Sequence, residues 1–182
     1  MVAAMTMRTL LLLSAALLLP VSGCGRAKAP QVTATPVLGY PYPFGMDVQR
    51  LLGKAPWEVT TPHCTTRYQE YKLQNPPSGS MWSDYSQVVV TADSLGTLQA
   101  FSATRSFATA KEAEAQVLEL LEEVRRRYGA QTDSIVRENV VLARLWQDRS
   151  GNIVGVYQGG AGVMVRSTSG RLKRDCPVAM ID

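Results

Sequence analysis

One histidine, three cysteines and no apolar stretch long enough to span a bilayer: each shortage in this sequence narrows what the chain can do. A spanning helix takes about 20 consecutive apolar residues, and the N-terminal run from Leu10 to Leu19 falls well short of that. The lone histidine, His63, adjoins Cys64 among Thr61, Pro62 and Thr65, a setting that resembles no nucleophile site. With Cys176 far away, these residues also lack the C-x-x-C or H-x-x-x-H spacing by which one turn presents two metal ligands. "QGGAG" at 158–162 leads into strand-like Val163 to Val165, not into the helix N-terminus that a phosphate cradle needs, so it reads as a turn. Glu122 and Glu123 are adjacent on a helical pattern, where successive side chains point about 100° apart, so they do not form an acid and base pair across one cleft. No βαβ nucleotide-binding pattern is present. The expectation is a protein that is not an enzyme and carries no metal or cofactor.

An excess of one charge is also missing. Lysine and arginine number 19 against 15 acids, a net +4, with both signs interspersed. Nucleic-acid binders concentrate positive charge on one face, so no nucleic-acid partner is expected; an anionic membrane surface suits a weak positive excess better. At 182 residues and 46% hydrophobic, the chain has material for one globular domain with a real core.

What is present begins at the N-terminus. "MVAAMTMRTLLLLSAALLLPVSGC" carries Arg8 as its one charge, then the apolar run, then small residues before Cys24. That is the layout of a secretory signal, and starts at Met5 or Met7 would preserve it. Its end, Val21-Ser22-Gly23-Cys24, resembles the lipobox of bacterial lipoproteins. The resemblance implies cleavage before Cys24 and acylation of that cysteine; two or three acyl chains, at about 0.8 kcal/mol per buried methylene, hold firmly where one holds marginally. Gly25, where an aspartate would favour inner-membrane retention, implies export to the outer membrane with the domain facing the periplasm. Residues 1–23 are therefore assigned to a cleaved signal peptide, 24–44 to a lipidated tether rich in proline (Pro30, Pro36, Pro41, Pro43), and 45–182 to a single domain. Tyr40, Tyr42 and Phe44 are expected to fold back onto that domain.

Within the domain, "GMDVQRLLG" offers Asp47 as an N-cap and Gly53 as a stop for a short helix. "TTRYQEYKLQ" suggests a strand, "NPPSGS" a loop, and "YSQVVVTADSLGTLQAFSAT" a hairpin turning at 93–96. Thr109 and Glu112 form a capping box ahead of Ala113, Val117, Leu120, Leu121, Val124 and Tyr128, which recur at helical spacing until Gly129. Early glutamates and the late triplet Arg125, Arg126 and Arg127 suit the dipole of that helix. "SIVRENVVLARLW", "NIVGVYQ" and "GVMVRSTS" predict a meander of three strands. The expected fold class is α+β, an antiparallel β-sheet with one long and one short helix packed on one face. A helix followed by strands occurs twice, which allows a distant duplication.

With Cys24 given to lipid, Cys64 and Cys176 remain as a pair, and an oxidising compartment favours a disulfide between them. It would close a loop of roughly one hundred residues.

"GMDVQRLLGKAP" resembles the GM…V…LLG.P helix of small outer-membrane lipoproteins of the BamE/SmpA type, through Gly45, Met46, Leu52, Gly53 and Pro56. The Gly45 to Gly53 interval is shorter than in that family and the remaining chain longer. The resemblance implies an envelope interaction module on a compact helix-plus-sheet domain.

The function expected is that of a lipid-anchored cell-envelope lipoprotein acting as a non-catalytic interaction module, bound to the membrane by its anchor and to another envelope protein through a sheet edge or loops. The alternative is a periplasmic binding domain for a small apolar or lipid ligand held between helix and sheet. Arg166, Arg171, Lys173 and Arg174 are the candidates for an anionic contact.

Overall fold

Side-chain capping opens the two later helices; the first has no side-chain cap at its N-cap, Val48, and Asp47, expected in that position, stands one residue ahead of it. In the computed structural model, which describes residues 30–34, 42–61, 66–137 and 140–177, the Asp47 side chain accepts a hydrogen bond from the Gln49 amide (2.9 Å) at the head of α1 (Gln49–Leu52). The capping box at Thr109 opens α2 (Ala110–Tyr128): Thr109 Oγ1 accepts from the Glu112 amide and Glu112 Oε2 from the Thr109 amide, both at 3.2 Å. Ser169 caps α3 (Gly170–Asp175) by accepting from the Leu172 amide at 3.1 Å.

Alternating and β-branched runs form eight strands: β1 (Glu58–Thr60), β2 (Tyr68–Gln74), β3 (Gln87–Asp93), β4 (Leu98–Ser106), β5 (Asp133–Arg137), β6 (Val140–Gln147), β7 (Ile153–Gly159) and β8 (Gly162–Thr168). They make one sheet in the order β1-β2-β3-β4-β8-β7-β6-β5, every neighbouring pair antiparallel. Two four-stranded meanders, each preceded by a helix, thus meet at their last strands, with Ala103 of β4 opposite Val165 of β8.

Alternation along β4 and β8 sorts the core into faces. Phe101 and Ala103 join Val48, Leu51 and Leu52 of α1 and Trp82, while Val163 and Val165 join Ala113, Val117 and Val124 of α2. Since Ala103 and Val165 are cross-strand partners, α1 and α2 lie on the same face. Ala100, on the other face of β4, packs with Tyr68, with Leu172 of α3 and with Cys176 at the C-cap of that helix. Part of the tether joins the first face: Ala34 and Tyr42 exchange backbone hydrogen bonds at 2.7 and 2.8 Å, Tyr42 stacks on Phe101 (centroids 5.7 Å apart), and Val32 and Ala34 are buried.

The expected fold class is corrected on these observations. An eight-stranded sheet dominates the domain, and three helices, not two, pack on it, the third on the face opposite the other two. The segment read as one strand, "SIVRENVVLARLW", is two, because Arg137 pairs back onto Val140, so the second meander has four strands rather than three. β1 was not expected either: its three residues have no pattern of their own and are ordered by β2, with Glu58 opposite Lys72.

Candidate functional site

The β3–β4 turn is built around a buried carboxylate. Asp93 is 5% exposed. Its Oδ1 accepts from the amides of Leu95 (3.1 Å) and Thr97 (3.0 Å). Its Oδ2 accepts from Thr97 Oγ1 (2.7 Å), Gln99 Nε2 (3.1 Å) and Arg171 Nη1 (3.1 Å). Burial would raise the pKa of this carboxyl, but the bonds from Thr97 and Leu95 and the charge of Arg171 together outweigh it and hold the group below the ordinary carboxylate value. Tyr68 hydroxyl donates to Asp175 Oδ2 at 2.6 Å, and Ser169 Oγ donates to Gln99 Oε1 at 2.7 Å. These bonds clamp α3 across the end of the sheet.

That clamp divides the four basic residues expected to form an anionic contact. Arg171 is committed to Asp93, Lys173 Nζ donates to Gln147 Oε1 at 3.4 Å, and Arg174 is exposed on α3. Arg166 stands apart on β8, half-buried between Ser102 of β4 and Gly155 of β7. It is close enough to Tyr157 to oppose, electrostatically, the rise that burial imposes on that hydroxyl's pKa. The structure therefore places these residues on two elements with different tasks, one of them a structural ion pair.

Between α2 and the sheet lies a cavity of about 30 Å³ lined by Ala103, Leu120, Val163, Val165, Arg105 and Gln116. A single water needs about 10–15 Å³ by this measure, so the space suits a water or two and not a lipid chain. Arg105 also lies over the Tyr85 ring (5.1 Å to its centroid) and reaches Asp84 at 3.5 Å, while its buried Nε has no hydrogen-bond partner among the described residues.

The sheet ends in two edges, β1, where Val59 is 57% exposed, and the longer β5. A terminal strand leaves half its backbone donors and acceptors pointing outward, a template that natural sheets blunt by shortness, proline or charge. At the opposite edge β1 has three residues and follows Pro56. β5 has five, with charge only at its ends, Asp133 and Arg137, and its pairing with β6 shifts register between Ile135 and Val136, where Ile135 opposite Ala143 gives way to Val136 opposite Val141. Beside it, at the start of β6, Val140 and Val141 are 58% and 41% exposed, and Val136 of β5 is 55% exposed. Ile135 is half-buried and packs on a small cluster of Ala143, Leu145, Ile153 and Tyr157. Read as one strand, 134–146 hides this edge; the charged Arg137 inside an apolar run is the signal in the sequence that β5 ends there.

Cys24 and Cys64 lie outside the described residues. Cys176, at the C-cap of α3, is wholly buried. Among the described residues, no three His, Cys, Asp or Glu side chains cluster as metal ligands, and no helix is long and apolar enough to cross a membrane. Comparison with known proteins finds no matching family model, no matching curated protein and no matching solved structure, so the functional reading rests on residues and geometry alone.

Proposed function

We propose that the chain is a lipid-anchored cell-envelope protein whose sheet domain docks another protein and catalyses nothing. Anchoring is read from Val21-Ser22-Gly23-Cys24 and the apolar run ahead of it; the outer membrane, with the domain in the periplasm, is the destination that Gly25 favours. Docking is carried by one observation: among the described residues β5 is paired on one side only and lies beside the exposed valines 136, 140 and 141. Strand addition supplies affinity through main-chain hydrogen bonds and specificity through the flanking side chains. In this reading Cys64 and Cys176 form the disulfide of the exported domain and fix α3 against the sheet.

Two measurements test it. Intact mass of the membrane fraction should correspond to cleavage before Cys24 plus acyl chains, and Cys24→Ala should abolish both. A photo-crosslinking residue replacing Val136 or Val140 should capture protein in the intact envelope, whereas one at Leu95, which is 81% exposed in the β3–β4 turn, should not. Equal capture at all three positions would discard the edge as the docking surface.

A further inference from the structure

The β5 edge reads Asp133-Ser134-Ile135-Val136-Arg137, a strand whose charges are arranged as a palindrome about its middle residue. We infer that its partner is a second copy of this chain, paired antiparallel about a twofold axis at Ile135. The inference rests on the edge-docking reading above and specifies the partner.

In an isologous contact, if residue i of one copy faces residue j of the other, then j faces i. Centring the pairing on Ile135 sets Asp133 of each copy opposite Arg137 of the other, so unlike charges meet twice and like charges never do. Other registers lose this. Shifting the pairing one residue toward the N-terminus sets Asp133 against Val136, and shifting it one the other way sets Asp133 against Glu138. Parallel pairing in register would stack Asp133 on Asp133 and Arg137 on Arg137. The charges thus select one register and one direction.

Both charges are available for this. Asp133 and Arg137 are exposed. Asp133 Oδ1 accepts a hydrogen bond from its neighbour's amide, Ser134 (2.7 Å), and neither residue makes an ion pair among the described residues. The apolar side fits as well. Ile135 shares a face with Asp133 and Arg137 and is the outermost member of the cluster with Ala143, Leu145, Ile153 and Tyr157. Its meeting with Ile135 of the second copy continues that cluster across the axis. A five-residue edge buries less than a standard stable interface, so the association in dilute solution is weak, and anchoring both copies to one leaflet raises their effective concentration.

The test uses the full-length protein in its membrane. Ile135→Cys, treated with a mild oxidant, should give a covalent dimer of twice the monomer mass. In that background Asp133→Arg or Arg137→Asp alone should cut dimer yield about tenfold, because each sets like charges opposite each other twice. The double swap D133R/R137D should restore it, since the palindrome is rebuilt with its signs exchanged. Because Ile135→Cys alters a half-buried residue, sedimentation of the purified protein bearing native Ile135 provides a second readout: wild type and double swap should self-associate with concentration, the single swaps should not. If Ile135→Cys gives no dimer while Val136 still crosslinks to another protein, self-pairing is overturned and edge docking survives. If no position on β5 crosslinks to anything, both fall. A double swap that stays monomeric overturns the palindrome.

Discussion

Asp93 and Arg171 stand 78 residues apart in sequence and meet at 3.1 Å, joining the β3–β4 turn to the last helix. The pair is lopsided: the Arg171 side chain is 56% exposed and the Asp93 side chain 3%. Asp93 is therefore the partner whose loss the fold feels, because water can satisfy Arg171 but not the amides and hydroxyl that converge on the carboxylate.

Asp93→Ala should cost about 2–4 kcal/mol in denaturant unfolding, the range for buried groups bonded to a charge, and Arg171→Ala less than about 1 kcal/mol. The pH dependence has a definite sign. A carboxyl held below its unfolded-state pKa stabilises the fold above about pH 4 and ceases to do so as pH falls through the lower folded value. Thermal melts of wild type should lose stability in acid from pH 4 downward, and Asp93→Asn should flatten that loss.

Tyr68 should behave oppositely. Burial first, and then the bond to Asp175, push its hydroxyl up to about 12. A raised pKa means that the protonated group contributes fully below the ordinary tyrosine value near 10 and loses its contribution as pH rises through about 12. Phenolate absorbance should show a late-titrating tyrosine that disappears in Tyr68→Phe, with a stability cost of about 1 kcal/mol at neutral pH.

Two buried glycines allow a graded comparison. A methyl on Gly155 would come within 2.6 Å of the Tyr157 ring and 2.9 Å of Leu145 Cδ2, side chains able to shift. A methyl on Gly170 would run into the carbonyl oxygen of Ser150 and the backbone of Gly151, which cannot move without breaking the β6–β7 turn. Gly155→Ala should cost about 1–3 kcal/mol and Gly170→Ala more, measured by urea unfolding.

For the proposed disulfide, peptide mapping under non-reducing conditions should recover Cys64 linked to Cys176. Reduction, or Cys64→Ser, should lower stability by about 4–5 kcal/mol on loop entropy for a loop of roughly one hundred residues. Recovery of Cys64 as a free thiol in the same mapping would rule the pairing out.

Sequence reading succeeded where neighbouring residues suffice to specify structure. The capping box of α2, its stripe ending before Gly129 and the hairpin turning at Asp93 to Gly96 all depend on interactions within a few residues, and the structure has them in those places. It missed what only distant chain supplies. α3 is six residues long with no helical stripe, held by Gln99, Asn152, Asp93 and Tyr68 from four other segments. Its one local cue was Ser169 at the cap position. The basic cluster looked continuous because Arg166, Arg171, Lys173 and Arg174 are close in sequence; the helix start between them assigns Arg171 to an ion pair and leaves Arg166 on the sheet. The β5 edge was hidden because a strand's place in a sheet is a property of pairing, which residue pattern does not encode.

The seam between the two meanders also sets the order in which the domain can assemble. Ser102 of β4 finds Arg166 of β8 only after the whole second meander exists, so a chain emerging N-terminus first carries β4 as a raw, apolar border for most of its length. β4, one of the two central strands of the finished sheet, waits with one border unpaired until β8 has been made. A chain truncated after β7 would keep both β4 and β7 in that condition, and its fate would be precipitation, with sticky strands on two fronts, rather than a smaller working domain.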